Sequence, residues 1–465
     1  LLGLIAHLLY GCSQTSDLSP ANTKSVAQPV AIAYEKYQLK NGLTVILHED
    51  HSLPTVSVNV WYHVGSGSEK PGRTGFAHLF EHILFEGSKH VPEGKFDRWL
   101  EEAGARNNGS TTEDRTNYFE DLPSNALELA LFLESDRMGY LLDVVTPEHV
   151  DGQRDVVKNE RRQRIENQPY ARIRVALPGL LYPPDHPYSW SVIGSMEDLS
   201  AATDEDVKEF FRDFYGPNNA SLVVAGDIQT DESRRLIEHW FSDVPRGRVP
   251  PKNTFPEVSL SIEKRVFFQD RVQLPMIHMA WHSPPIFANG DADLDMLASI
   301  LSDGKNSRLY RRLVYEMEAA QSVVAYQSSN KFSSTFNIYA LAKPGYSLDQ
   351  LEEVIIEEVD KLKQEEITDH ELQRSKNQYE ALFFRSLELV GGFSGKANQL
   401  NSYYFNTGKA GYFNDDLDRY RRVSPEKIQA VANRYLSWDQ RIVVSVVPEG
   451  SPKDAAKNST EIHPK

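Results

Sequence analysis

The chain has 465 residues, 66 acidic and 50 basic side chains, a formal net charge of −16 and a single cysteine. A balance this acidic argues against nucleic acid or an anionic membrane surface as partner, and one cysteine excludes a disulfide-held fold. The length is ample for more than one domain with a sizeable core.

Leu1 to Gly11 is an apolar run ending at Cys12, too short to span a bilayer and similar to the apolar part of a truncated export signal (1–12). Leu9-Tyr10-Gly11-Cys12 resembles a bacterial lipobox with Tyr10 as an unusual occupant. The reading is a protein of the bacterial periplasm whose membrane contact is a lipid on Cys12; the alternative is an ordinary signal with an incidental cysteine. Residues 13–33, rich in Ser, Thr, Gln, Asn, Ala and Pro, suit a flexible tether. A hairpin over 36–47 turned by Asn41-Gly42 comes next, then a strand over 55–63 in which Val56, Val58, Val60 and Tyr62 alternate. Helices are expected over 75–86, 93–103, 124–140, 147–167 and 203–214, and a closing strand over 220–225.

The first of these helices carries the chemistry. His78-Leu79-Phe80-Glu81-His82 sets two imidazoles four residues apart with a carboxylate just before the second. At about 100° per residue all three project to one region of space. Two neutral imidazoles at this spacing suit zinc, and a carboxylate that is not a ligand can take a proton from zinc-bound water. The order is H-x-x-E-H, the reverse of the commoner zinc-peptidase motif. Apolar neighbours (Leu79, Phe80, Ile83, Leu84, Phe85) bury the helix, where unpaired polar groups are costly. Thr74 is the expected cap at its start and Gly87 its left-handed end.

A catalytic zinc needs a third protein ligand. The best segment is the helix opened by Thr146-Pro147, with an apolar stripe of Val150, Val156, Val157 and Ile165; Glu160 shares a face with Gln153, Val156 and Val157. Spacing alone leaves several carboxylates open for this role.

The second half repeats the plan in weaker form. Leu274-Pro275 then Trp281 mirrors Leu53-Pro54 then Trp61; 291–303 takes the place of the metal helix without a His, and 442–447 that of the closing strand. Val244 to Pro251 is a linker by its Pro and Gly content. The division is therefore a zinc-bearing half over 34–245, a linker over 246–260, a half without metal over 261–450 and a polar tail over 451–465. The fold class is α+β: two homologous, layered halves with largely antiparallel sheets and a cavity between them. His48-Glu49-Asp50-His51 reads as solvated surface at a strand end, Trp61, Trp99 and Trp281 as core, and Asp185-His186-Pro187 as a loop shaping the cavity.

The segment from Gly75 to Leu122 resembles the pitrilysin/insulinase family of inverted-motif zinc peptidases, in its shorter, mitochondrial-processing-peptidase-like branch. Gly194 to Asp198, Tyr215 to Asn219 and Gly226-Asp227 are also similar to it. The resemblance implies half of a clamshell peptidase that binds one Zn²⁺ per chain through His78, His82 and Glu160. Glu160 fits the family's V-x-x-E context and lies 78 residues after His82. Glu81 would be the general base on zinc-bound water, and the stretch around Asn108, Gly109 and Ser110 an edge strand that pairs with the backbone of extended or unfolded peptides. Two departures stand out. An extra acid of the family is Gln153 here, which could still orient a ligand by hydrogen bonding. The family's substrate-contacting Arg and Tyr correspond to Val314 and Gln321. A partner subunit of the same fold supplying that pair is the favoured explanation, ahead of a homodimer, with Arg308 or Tyr315 as substitutes within the chain. The rival function is a non-catalytic, peptide-binding scaffold subunit of such a heterodimer.

Overall fold

Runs of alternating apolar residues assemble two open sheets of six strands each, with the helices layered on them. The computed structural model describes residues 29–251, 255, 257–364 and 367–464. Cys12 and the export signal lie outside the described residues, as does most of the tether. The compact unit begins at Ile32, and all that follows concerns it.

Among the described residues the strands are β1 (Glu35–Gln38), β2 (Thr44–Glu49), β3 (Thr55–Tyr62), β4 (Arg106–Thr111), β5 (Thr116–Pro123), β6 (Ala220–Gly226), β7 (Lys264–Asp270), β8 (Met276–Ser283), β9 (Ala320–Ser328), β10 (Ser334–Ala342), β11 (Ile442–Pro448) and β12 (Thr460–Glu461). The helices are α1 (Phe76–Ile83), α2 (Lys95–Glu102), α3 (Leu127–Tyr140), α4 (Pro147–Arg161), α5 (Ile173–Leu181), α6 (Met196–Ala201), α7 (Asp204–Phe214), α8 (Thr230–Phe241), α9 (Asp291–Ser302), α10 (Leu348–Gln364), α11 (Asp369–Ser386), α12 (Lys396–Thr407), α13 (Phe413–Arg421) and α14 (Pro425–Tyr435).

The duplication is plain in the strand orders, β1-β2-β6-β3-β5-β4 in one sheet and β12-β7-β11-β8-β10-β9 in the other. The closing strands β6 and β11 hold the same place, each parallel to one neighbour (β2, β7) and antiparallel to the other (β3, β8). The halves differ at one edge, where β1 is antiparallel to β2 but β12 is parallel to β7. Every other pairing is antiparallel, so the α+β, largely antiparallel fold class stands.

One face of each sheet is covered by its own helices. Val58, Val60 and Leu222 pack with Leu79, Phe80 and Phe211 in the first half, and Ile277, Met279 and Trp281 with Leu297, Ile300 and Leu351 in the second. On the remaining face each half lends a helix to the other. Leu181 of α5 joins Phe268, Met276, Ile442 and Val444 in one apolar cluster. In return, α12 lies on β3 and β6: Asn401 Nδ2 donates to the Asn59 carbonyl (2.9 Å), Ser221 Oγ to Asn401 Oδ1 (2.7 Å), and Trp61 Nε1 to Asn398 Oδ1 (2.9 Å).

Most expected elements are present within a few residues, with instructive differences. The helix over 147–167 ends at Arg161 and continues as a π-turn, Arg162–Glu166. Helices α5, α6 and α8 of the first half, and α10 to α14 of the second, have no counterpart among the expected elements. Val156 is 44% exposed rather than part of the buried stripe of α4. His48 is buried, because β2 runs between β1 and β6; its Nδ1 lies 2.7 Å from the Ala33 carbonyl oxygen. Of the tryptophans, Trp61 and Trp281 are core and Trp99 is half-buried.

Candidate metal centre and its surroundings

Helix α1 opens without the expected threonine cap. Gly75 is its N-cap residue, at φ 89°, and Thr74 turns its hydroxyl to Asp198 Oδ2 (2.6 Å). The free N–H groups of the first turn are met by Glu69, whose two carboxylate oxygens accept from Gly75 N (3.0 Å) and Ala77 N (2.9 Å), with Trp190 Nε1 at 3.1 Å. A carboxylate here also answers the positive end of the helix dipole. Burial pushes the Glu69 carboxyl up to about 8, with the Ala77 and Gly75 hydrogen bonds pulling against it. Glu69→Ala leaves the Gly75 and Ala77 N–H groups unmet, while the Trp190 indole keeps the Ser66 carbonyl at 3.0 Å, and is expected to cost about 2 to 3 kcal/mol; urea unfolding checks it.

Two turns of α1 then present the two imidazoles to Glu160 of α4, completing the expected trio. His82 Nε2 lies 3.1 Å from Glu160 Oε2 and His78 Nε2 lies 3.5 Å from the same oxygen. The imidazoles meet edge-on, centroids 4.9 Å apart. All three donor atoms fall within 4.8 Å of one another, and among the described residues no other His, Cys, Asp and Glu group does so. Ligands at zinc distances on a tetrahedron sit about 3.3 Å apart, so the donors fit a single zinc ion. Chemistry agrees: two imidazole nitrogens and a carboxylate suit this borderline metal. Burial pushes His78 down to about 4 even with Glu160 beside it, which favours the neutral, ligating form. Burial alone would raise the Glu160 carboxyl, but the His82 hydrogen bond and the charges of His78, His82 and Arg164 hold it below the usual range. Arg164 Nη1 closes on the other carboxylate oxygen at 2.6 Å.

Glu81 stands beside the trio and outside it. Thr111 Oγ1 donates to its Oε2 at 2.6 Å; burial raises the carboxyl and that hydrogen bond opposes the rise. Thr111 belongs to β4, the outermost strand of the first sheet. The strand comes this close because Gly109 has no side chain: a Cβ there would lie 3.2 Å from the Tyr118 ring and 3.3 Å from Glu81 Cγ. Its neighbours are engaged locally, Asn108 Oδ1 accepting from Gly109 N (2.8 Å) and Ser110 Oγ donating to Asn117 Oδ1 (2.6 Å). Arg115, half-buried and pushed down to about 10 by desolvation, donates to the Ser110 carbonyl at 2.8 Å. Gln153 Nε2 donates to Glu86 Oε1 at 2.6 Å, four residues past His82. The sequence reading missed Glu69, Thr111 and Arg115; only Thr111, within the stretch picked out as an edge strand, had left a signal. Of the two in-chain substitutes for the Arg/Tyr pair, Arg308 is held by both oxygens of Glu371 (2.7 and 3.0 Å) and Tyr315 is 77% exposed.

Comparison with known proteins adds the following. Residues 44–178 match the family model described as insulinase (peptidase family M16), and residues 201–379 the one described as peptidase M16 inactive domain. The zinc protease PqqE of Helicobacter pylori is 28% identical over 429 residues, covering 91% of this chain and 94% of that protein. A solved protease from Helicobacter pylori superposes with a TM-score of 0.82 at 27% identity, over 90% of this chain and 100% of that one. The periplasmic protease PqqL from Escherichia coli shares the fold at a TM-score of 0.76 and 18% identity; the match covers 92% of this chain but 49% of that one.

Proposed function

The chain belongs to the pitrilysin/insulinase family of peptidases, and from that premise we propose that it is a zinc-dependent endopeptidase acting on extended or unfolded peptides. The observation that carries this is the convergence of His78, His82 and Glu160 from two helices, with Glu81 alongside and uncommitted to the trio. One zinc ion held by those three would supply a Lewis acid that acidifies water and polarises the scissile carbonyl. Glu81 takes the proton of the attacking water and returns it to the leaving amine, oriented by Thr111. Gln153 acts at one remove, steadying Glu86 next to the α1 terminus. The peptide adds to the outer edge of β4 at Asn108, Gly109 and Ser110, so backbone conformation is read ahead of side chains.

The same reading keeps the division into a zinc-bearing half (34–245), a linker (246–260) and a half without metal (261–450). It includes a partner chain of the same fold, in a heterodimer or else a homodimer, to supply an Arg and a Tyr at the site. In support, Val314 and Gln321 stand where the family has that pair, and PqqL is about twice this chain's length. A periplasmic location, with a lipid on Cys12, completes the proposal; among the described residues no helix is long and apolar enough to cross a membrane. The second reading, a non-catalytic scaffold subunit, is favoured by the missing Arg and Tyr alone. Zinc analysis of the purified chain and a quenched-peptide assay with and without a chelator separate the two. The peptidase carries about one zinc and loses cleavage when it is stripped; a scaffold carries none and leaves peptides whole.

A further inference from the structure

The cavity lined by His78, Glu81 and Glu160, about 480 Å³, has a larger neighbour of about 760 Å³. Arg164 and Arg174 are in the walls of both. The larger cavity lies between the segment leading into α5 and the sheet face of β8, β9 and β10, and its lining includes Tyr170, Met276, Tyr326, Tyr339 and Leu341. The two arginines differ in their commitments. Arg164 is neutralised by Glu160 at 2.6 Å, whereas the Arg174 side chain makes no ion pair or hydrogen bond among the described residues. In a chain of net charge −16, an unpaired guanidinium where two cavities meet is a feature the catalytic reading leaves unused. His278, also in the larger cavity, adds no second cation, since burial pushes it down to about 4.

Resting on the peptidase reading, we propose that Arg174 is a specificity residue: it takes a carboxylate of the bound peptide while the adjoining aromatic cavity takes a large apolar side chain. The cavity has the volume of an ordinary ligand cleft and walls of tyrosine, methionine and leucine. Arg174 itself is exposed, so its contact with a carboxylate is made in the presence of water and rests on charge-assisted hydrogen bonding. The planar fork of arginine matches a carboxylate in two hydrogen bonds, a geometry lysine lacks. The favoured substrates are peptides with Asp or Glu close to a bulky apolar residue near the scissile bond.

The test is a set of quenched peptides around one central Phe, with Glu, Gln or Lys placed in turn at each flanking position. Cleavage is measured as kcat/KM, and binding of the same peptides to Glu81→Gln is measured by fluorescence anisotropy. One position should show a preference of about tenfold for Glu over Gln, in cleavage and in binding alike. Arg174→Gln should reduce that ratio to about one, Arg174→Glu should turn it in favour of Lys, and Arg174→Lys should restore part of it. An unchanged ratio in Arg174→Gln, or no charge preference at any position, overturns the proposal while leaving the peptidase intact. A charge-dependent binding that survives with no cleavage by the zinc-loaded wild type would keep the Arg174 site and remove the peptidase. Absence of both removes both.

Discussion

Glu81→Gln is expected to bind one zinc per chain as the wild type does, and to hydrolyse peptides slower by roughly 10³ to 10⁴. The substitution is nearly isosteric, and its amide oxygen can still accept from Thr111 Oγ1, which lies 2.6 Å from the carboxylate now. What it loses is the ability to carry a proton. Because Glu81 stands outside the trio of donor atoms, the metal site should be untouched. Metal analysis and kcat on one peptide, from one preparation, give both halves of the result. Near-normal turnover would move the proton to another group and remove Glu81 from the mechanism. By contrast, Glu160→Gln should fail at the earlier step, since a neutral amide is a poor third ligand for zinc.

Arg137→Met is expected to cost about 3 to 5 kcal/mol of stability, the largest loss from any single side chain outside the centre. Arg137 is 1% exposed on α3, and both its neighbours, Glu120 and Glu134, are fully buried. Its guanidinium donates to Glu120 at 3.1 Å and through Nε to Glu134 at 2.8 Å, and lies 4.1 Å from the centre of the Tyr118 ring. Burial, then the charge of Glu134, pushes the Glu120 carboxyl well above its usual range, so one proton and one guanidinium offset two buried acids. Methionine fills the space but leaves the acids without a cation. Carboxyls left so have a folded-state pKa above the unfolded one, so their protonation favours the native state. The deficit against wild type should therefore be small near pH 4 and grow as pH rises past neutrality. Replacing Glu120, Glu134 and Arg137 together by apolar residues of similar volume should recover most of the loss. Urea unfolding at several pH values reads both results; a pH-independent loss of under 1 kcal/mol would mean that the triad is solvated on opening and contributes little.

What could be read from the sequence was what is local. His78, Glu81 and His82 sit on consecutive turns of one helix, so their convergence follows from 3.6 residues per turn. Glu160 is different. Periodicity puts it on a face with Val157, but only tertiary packing carries that face to α1, and spacing left other acids equally eligible. The same limit explains Glu69, whose role depends on a turn folding back beneath the start of α1, and Arg174, which matters only where α5 meets the second sheet. His48 was misread because a strand end in sequence became an interior position once β1 and β6 closed on either side of β2. The twofold plan was legible from Leu-Pro-to-Trp spacing because strands repeat with period two and turns with proline. The exchanged helices α5 and α12 were not, since nothing in an amphipathic pattern says whose sheet it will cover.

That reciprocal loan of helices bears on how a substrate could be enclosed. Parting the two halves would strip Leu181 from its apolar cluster and break the Asn401 and Asn398 hydrogen bonds. Among the described residues these contacts tie the two sheets together along their seam. Under the proposal of a partner chain of the same fold, shutting the active-site face against bulk water would fall to that chain, and its approach and departure would gate turnover.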